Sequence, residues 1–184
     1  MESSAVHRFL TIYLNDHLAG AAIGVDRIAS TARAHRNSAL GGPLRRLATD
    51  IAADRGALLS IMVSLGVPVR RYKSVAGWAA EKAGRLKPNG RITGRSPLTD
   101  LVELEALRIG VEGKAACWRT LLTFADEASG LRPSELRLLE ERARSQITVL
   151  EELRLSAADR LFHAGAAPRS APSTPAPAGR GHTV

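Results

Sequence analysis

Four segments of this chain repeat their apolar residues three and four positions apart, the spacing that places side chains on one face of an α-helix. Residues that favour helix termini bound these segments. Pro43 and Pro133 suit a first helical turn, and Ser96 followed by Pro97 suits a helix start. The predicted helices are 4–35, 43–65, 97–128 and 133–163.

The connections between these segments predict how the helices are arranged. The first and third connections are short, so each predicts an antiparallel helical hairpin. The second, residues 66–96, is long enough to run the length of a bundle, and it contains a further short helical pattern at 71–86. Alanine and leucine are abundant and aromatic residues make up only 4% of the chain, which favours packing of helix on helix. We therefore expect an all-α, antiparallel four-helix bundle over residues 1–163. Residues 164–184, rich in proline and alanine, predict a disordered tail.

The order of two helical hairpins joined by one long crossover resembles the ferritin-like four-helix-bundle superfamily. The motif YLNDHLAG at 13–20, with AEKAGRLK at 80–87 and LVELE at 101–105, also resembles an uncharacterised actinobacterial family. Ferritin-like di-metal proteins bind their metals with one Glu on each of two helices and a Glu-x-x-His pair on each of the other two. No Glu-x-x-His occurs in this chain, so the ligands of that family are not transferred to it.

Several charged residues fall inside the apolar faces of the predicted helices when successive positions are placed 100° apart. The second and fourth helices each bring one arginine into their apolar face, and the third helix brings two glutamates and two arginines, one of which is Arg119. When residues are counted from the helix ends, the charged residues of different helices lie at similar positions along the bundle axis. We therefore expect an ion-pair network in the core of the bundle. Its members are Arg55, Glu105, Arg108, Glu112 and Arg154.

A metal site is the alternative interpretation of the same region. His17 lies in the apolar face of the first helix, whereas Asn15 is expected to face outward. His17, Glu105 and Glu112 are the residues that would then bind iron or manganese. Arginine is always cationic and cannot bind a metal, so arginines facing these carboxylates favour the ion-pair network, and no cofactor is expected. Cys117 is the only cysteine, which excludes an intrachain disulfide and predicts a buried, inert thiol.

The charge of the chain is concentrated in one segment. Its formal net charge is +8, and residues 70–95 alone contribute +7 from eight basic residues and Glu81. This segment is either a solvated linker, a surface that lies on a membrane, or a binding site for nucleic acid or another acidic partner. An interface between copies of the chain is a further alternative. The residues proposed to contact a polyanion are Arg70, Arg71, Lys73, Arg91 and Arg95.

The remaining features concern location and function. The first ten residues do not resemble a secretory signal, and no apolar run approaches the roughly 20 residues needed to cross a bilayer. Together with the single cysteine, this predicts a soluble, cytoplasmic protein. The chain contains no glycine-rich phosphate loop, catalytic triad pattern or zinc-ligand spacing. We therefore expect a non-catalytic binding or assembly module. The alternative is a ferritin-like metal-binding or redox protein with a degenerate site.

Overall fold

A computed structural model describes residues 2–70, 96–126 and 130–163 of the chain. Within these ranges the protein has four α-helices and no strand. The helices are α1 (Glu2–Ala34), α2 (Gly41–Ser64), α3 (Pro97–Leu122) and α4 (Pro133–His163). The short helix predicted at 71–86 and the tail predicted at 164–184 lie outside the described residues.

Each helix makes its main contacts with two others, so the four form a ring in the order α1, α2, α4, α3. The contact between α3 and α4 is the most extensive of the four, and that between α2 and α4 is the slightest. All four helices contribute to one hydrophobic core. Trp118 of α3 and Leu14 of α1 are among its largest fully buried side chains. The described part of the chain is therefore an all-helical bundle.

The ends of α1, α2 and α4 lie within two residues of the predicted ends, but α3 is shorter than predicted. It ends at Leu122, whereas the sequence predicts residue 128. At this point the hydroxyl of Thr123 donates to the carbonyl oxygen of Thr120 at 2.7 Å, and its N–H donates to the same oxygen at 3.2 Å. These bonds to a residue only three positions back tighten the last turn and close the helix. The sequence contains no glycine or proline next to Leu122 that would predict this helix end.

The start of α3 has the cap that the sequence predicts. Ser96 adopts an extended backbone, and its hydroxyl accepts a hydrogen bond of 3.3 Å from the N–H of Leu98. Pro97 occupies the first helical position, where its missing N–H costs no hydrogen bond. Asp100 in the first turn adds a favourable charge near the N-terminal end of the helix dipole. The last residue of the predicted crossover is therefore fixed at the start of α3.

The turn between α1 and α2 depends on a glycine with no space for a side chain. A Cβ atom added at Gly41 lies 2.5 Å from the carbonyl oxygen of His35 and 3.0 Å from that of Arg36. Both neighbours are backbone atoms, so the turn itself has to shift to admit a methyl group. At the next residue, Gly42, the nearest atom to an added Cβ is 3.8 Å away, in the flexible side chain of Arg46.

We predict that Gly41→Ala destabilises the protein by about 1–3 kcal/mol, the usual cost of overpacking a rigid site. Gly42→Ala is the matched control, and it is expected to be neutral or slightly stabilising because alanine favours helix over glycine. Urea unfolding followed by circular dichroism measures both free energies of unfolding. Equal stabilities for the two variants would show that the turn has room at residue 41.

Candidate functional site

The centre of the bundle contains a buried carboxylate. Asp54 of α2 is 1% exposed, and its side chain contacts residues of two other helices. The Nε of Arg142 on α4 donates to Oδ1 at 2.6 Å, and the Nε2 of Gln146 donates to Oδ2 at 2.9 Å. The ammonium of Lys114 on α3 also donates to Oδ2, and it donates to the side-chain oxygen of Gln146. The residues Asp54, Lys114, Arg142 and Gln146 are called the Asp54 cluster below.

Burial changes the acidity of Lys114 in the Asp54 cluster. It lowers the pKa of Lys114 below its ordinary value, because the charged ammonium is removed from water. The carboxylate of Asp54 opposes this shift, and the guanidinium of Arg142 adds to it. Asp50, one turn before Asp54 on α2, supplies a second negative charge near the ammonium.

The chemistry of the Asp54 cluster is that of a satisfied polar group in an apolar core. Both oxygens of the carboxylate accept hydrogen bonds from cations or from an amide, as buried charges require. A metal ion at this position would have to displace Lys114 and Arg142, and neither a protonated ammonium nor a guanidinium can bind a metal. The cluster therefore links α2, α3 and α4 at one level of the bundle.

The sequence analysis did not identify the Asp54 cluster, although a signal was present. Asp54 continues the alternating spacing of three and four residues set by Leu47, Ile51 and Leu58, all of which are buried. Gln146 continues the same spacing in α4, between Ala143 and Leu150. Polar residues that continue an apolar repeat are the ones to expect in the core.

The five residues of the predicted core network are only partly brought together. Arg154 contacts Glu105 at 3.7 Å, and Arg108 contacts Glu112 at 3.7 Å. Glu151 of α4, which the prediction omitted, joins the two pairs. It accepts hydrogen bonds of 2.9 and 2.6 Å from Arg154 and lies 3.1 Å from the Nε of Arg108. The hydrogen bonds from Arg154 lower the pKa of Glu151.

The depth of this network differs from the expectation. The side chains of Glu105 and Glu112 are each 46% exposed, so the network lies on the outer edge of the α3–α4 contact and not in the core. Arg55 lies apart from it and forms no ion pair with any residue of the described ranges. The depth of Glu105 and Glu112 was predicted wrongly because α3 is apolar around much of its circumference. For such a helix, the angular positions of the residues do not show which side faces the centre of the bundle.

The three residues of the alternative metal site are not brought together either. Among the described residues, no group of three His, Cys, Asp or Glu side chains is placed to bind a metal ion. Glu105 and Glu112 are paired with arginines on the α3–α4 side. The ring of His17 instead packs edge-on against that of Tyr13, with centroids 4.5 Å apart. Burial lowers the pKa of His17, which favours its neutral form.

The thiol of Cys117 lies in the contact between α1 and α3. It is buried beside the phenol of Tyr13, which also neighbours Thr120. Burial raises the pKa of Cys117 to about 12 and also raises that of Tyr13. Because the thiolate is the reactive form, a thiol with so high a pKa is a poor nucleophile near neutral pH.

Of the proposed polyanion-binding residues, only Arg70 lies in the described ranges, and it is exposed. Its backbone N–H donates to the side-chain oxygen of Asn15 at 2.7 Å, and the Nδ2 of Asn15 donates to the carbonyl oxygen of Pro68 at 3.0 Å. Asn15 was expected to face outward but is buried, because the chain after α2 folds back over it. The other four proposed residues, Arg71, Lys73, Arg91 and Arg95, lie outside the described residues.

We predict that Asp54→Asn destabilises the protein by about 3 kcal/mol, because it leaves Lys114 and Arg142 without a buried counter-charge. Asp50→Asn, on the same helix and partly exposed, is the control and is expected to cost less than about 1 kcal/mol. Urea unfolding at pH 7 gives both values. A cost for Asp54→Asn as small as that of the control would mean that the cluster adds nothing to stability.

A second prediction concerns alkaline pH. The folded state keeps the proton of Cys117 up to about pH 12, whereas the unfolded chain loses it from about its ordinary pKa of 9.0. The thiol's contribution to stability is therefore complete below pH 9 and is lost as the pH rises towards 12, by at most about 1.4 kcal/mol per pH unit. The comparison is urea unfolding of the wild type and of Cys117→Ala between pH 8 and 10.5. Parallel stability curves for the two proteins would contradict the prediction.

The described helices include no membrane span, and no similar protein was found. None of the helices in the described ranges carries an apolar stretch that would take it across a bilayer. Comparison with models of protein families, with curated proteins and with solved structures found no match to this chain.

Proposed function

We propose that this chain is a non-catalytic binding module, in which an antiparallel, ferritin-like four-helix bundle holds the basic segment 70–95 for contact with a polyanion. The antiparallel arrangement is supported by the order of the ion pairs between α3 and α4. Arg154 contacts Glu105, whereas Glu140 contacts Arg119, so residue numbers fall along one helix as they rise along the other.

The observation that carries the proposal is the attachment of the basic segment to the bundle at both ends. At its start, Asn15 binds the backbone of Pro68 and Arg70. At its end, Ser96 caps α3 directly after Arg95. Six of the seven excess positive charges of the segment lie between these two fixed points. A concentrated positive charge held close to a folded support binds phosphates through release of their counterions.

The interior of the bundle supports a binding role over a catalytic one. The carboxylate of Asp54 is occupied by Lys114, Arg142 and an amide, and the carboxylates of the alternative metal site are paired with arginines. A cavity of about 490 Å³ between α2 and the start of α4 is lined by Ser60, Ser64 and apolar side chains, and its Arg132 is paired with Glu135. This cavity contains no set of groups for acid–base or nucleophilic chemistry among the described residues.

We predict that replacing Arg70, Arg71, Lys73, Arg91 and Arg95 by Gln weakens binding to a 20-nucleotide DNA duplex by roughly tenfold or more at low salt. The slope of the logarithm of affinity against the logarithm of salt concentration should also fall, by about 0.9 for each phosphate that the protein no longer neutralises. Fluorescence anisotropy at several salt concentrations measures both, and a single-stranded RNA of equal length is tested beside the duplex.

The matched control removes the same number of positive charges from the bundle. It replaces five exposed arginines that form no ion pair with any described residue, namely Arg33, Arg36, Arg45, Arg46 and Arg137. We expect it to reduce affinity much less than the segment variant does. Equal losses in the two variants would mean that net charge alone drives binding. No binding by the wild type at low salt would refute the proposal, as would stoichiometric iron or manganese in protein purified without a histidine tag.

A further inference from the structure

Helix α1 carries a second row of regularly spaced residues, on the side that faces away from the bundle. These positions alternate in steps of four and three, which keeps them on one face of the helix. Phe9 is 60% exposed and Ile12 is 41% exposed, whereas Ala19 and Ile23 are partly exposed. The row, called the outer row of α1 below, consists of Ala5, Phe9, Ile12, Asp16, Ala19 and Ile23.

The outer row is unlike the solvent face of an ordinary surface helix. The inner face of α1 already supplies its share of the core through residues such as Leu14, Leu18 and Ile28. A helix that is apolar on two opposite faces normally has a partner on each of them. No described helix covers the outer row, since α2 and α3 pack on the inner side and α4 lies across the bundle from α1.

We propose that the outer row of α1 is the docking surface for residues 71–95 of the same chain. Both ends of this segment are fixed beside α1. Its start follows Arg70, whose N–H is bonded to Asn15 of α1. Its end precedes Ser96 at the start of α3, and Asp100 of that first turn lies 3.2 Å from His35, just beyond the end of α1.

The length of the segment fits this path. The levels of Asn15 and His35 are 20 residues apart along the helical rise, or about 30 Å. Twenty-five residues are long enough to cover that distance, since even a single straight helix of this length reaches about 37 Å. A path around α4 would instead have to leave α1 and return to it, so the short path runs along the outer side of α1.

The chemistry of the two surfaces is also complementary. Residues 71–95 carry a net charge of +6, and their apolar side chains include Tyr72, Val75, Trp78 and Leu86. On α1, the exposed carboxylates of Asp16 and Asp26 form no ion pair with any described residue. Apolar contacts with Ile12 and Ile23, combined with attraction to these two carboxylates, favour this occupant over solvent.

The docking does not depend on the polyanion-binding role of segment 70–95. Its test is disulfide trapping in the full-length chain, in a Cys117→Ala background. The test pair is Ile23→Cys with Ala79→Cys. The control pair is Leu155→Cys with Ala79→Cys, because Leu155 is exposed on α4, which lies across the bundle from α1. We expect the test pair to oxidise at least about tenfold faster than the control pair, within single chains.

Equal oxidation rates for the two pairs would overturn the proposal, because they mean that residue 79 samples both sides of the bundle alike. Disulfide-linked dimers formed through residue 23 would also overturn it, since a second copy would then cover the outer row. A second measurement uses no new cysteine. Ile12→Asp with Ile23→Asp should speed tryptic cleavage within 71–95 by about tenfold, whereas Leu138→Asp with Leu155→Asp should leave it unchanged. Equal cleavage in these two variants contradicts the docking.

Discussion

The carboxylate of Asp54 is a charge buried where three helices of the bundle meet. It lies on α2, yet its partners are Lys114 on α3 and Arg142 and Gln146 on α4. The contact between α2 and α4 is the slightest in the ring, and the hydrogen bonds from Arg142 and Gln146 to Asp54 join these two helices directly. A buried ion pair contributes little net free energy, because desolvation offsets the attraction, but a misaligned one is costly. We infer that the Asp54 cluster fixes the level and rotation of three helices relative to one another.

Polar contacts also join α3 to α4 and α1 to α3. Between α3 and α4, Glu151 joins Arg154 and Arg108 at the surface, where solvent weakens each ion pair. Between α1 and α3, the buried hydroxyl of Thr31 donates to Glu103 at 2.9 Å. Apolar side chains supply most of the driving force for folding, and these directional contacts select one packing among many that are similarly apolar.

The interior and the exterior of the bundle differ in whether their side chains have partners, and this difference supports the proposed function. Within the described ranges, the buried carboxylate of Asp54 is paired with Lys114 and Arg142. Among the described residues, the exposed apolar side chains of the outer row of α1 have no helix packed on them. The two proposals are compatible, because the outer row of α1 would hold residues 71–95 beside the bundle while their arginines and lysines contact a polyanion.

For the described residues, the sequence by itself determined that the fold is all-helical, that it has four long helices and where most of them end, because these features depend on local chemistry. The cap at Ser96 and the proline at the start of α4 act through atoms within one turn. The sequence failed where distant parts of the chain decide the outcome. Asn15 is buried because residues 68–70 fold over it, and Asp54 occupies the core in place of Arg55 because of how α2 is rotated. That rotation is set by the side chains of the neighbouring helices, and a change of 100° exchanges one residue for the next. Only the tertiary structure could therefore decide which charges are buried and which partners they have.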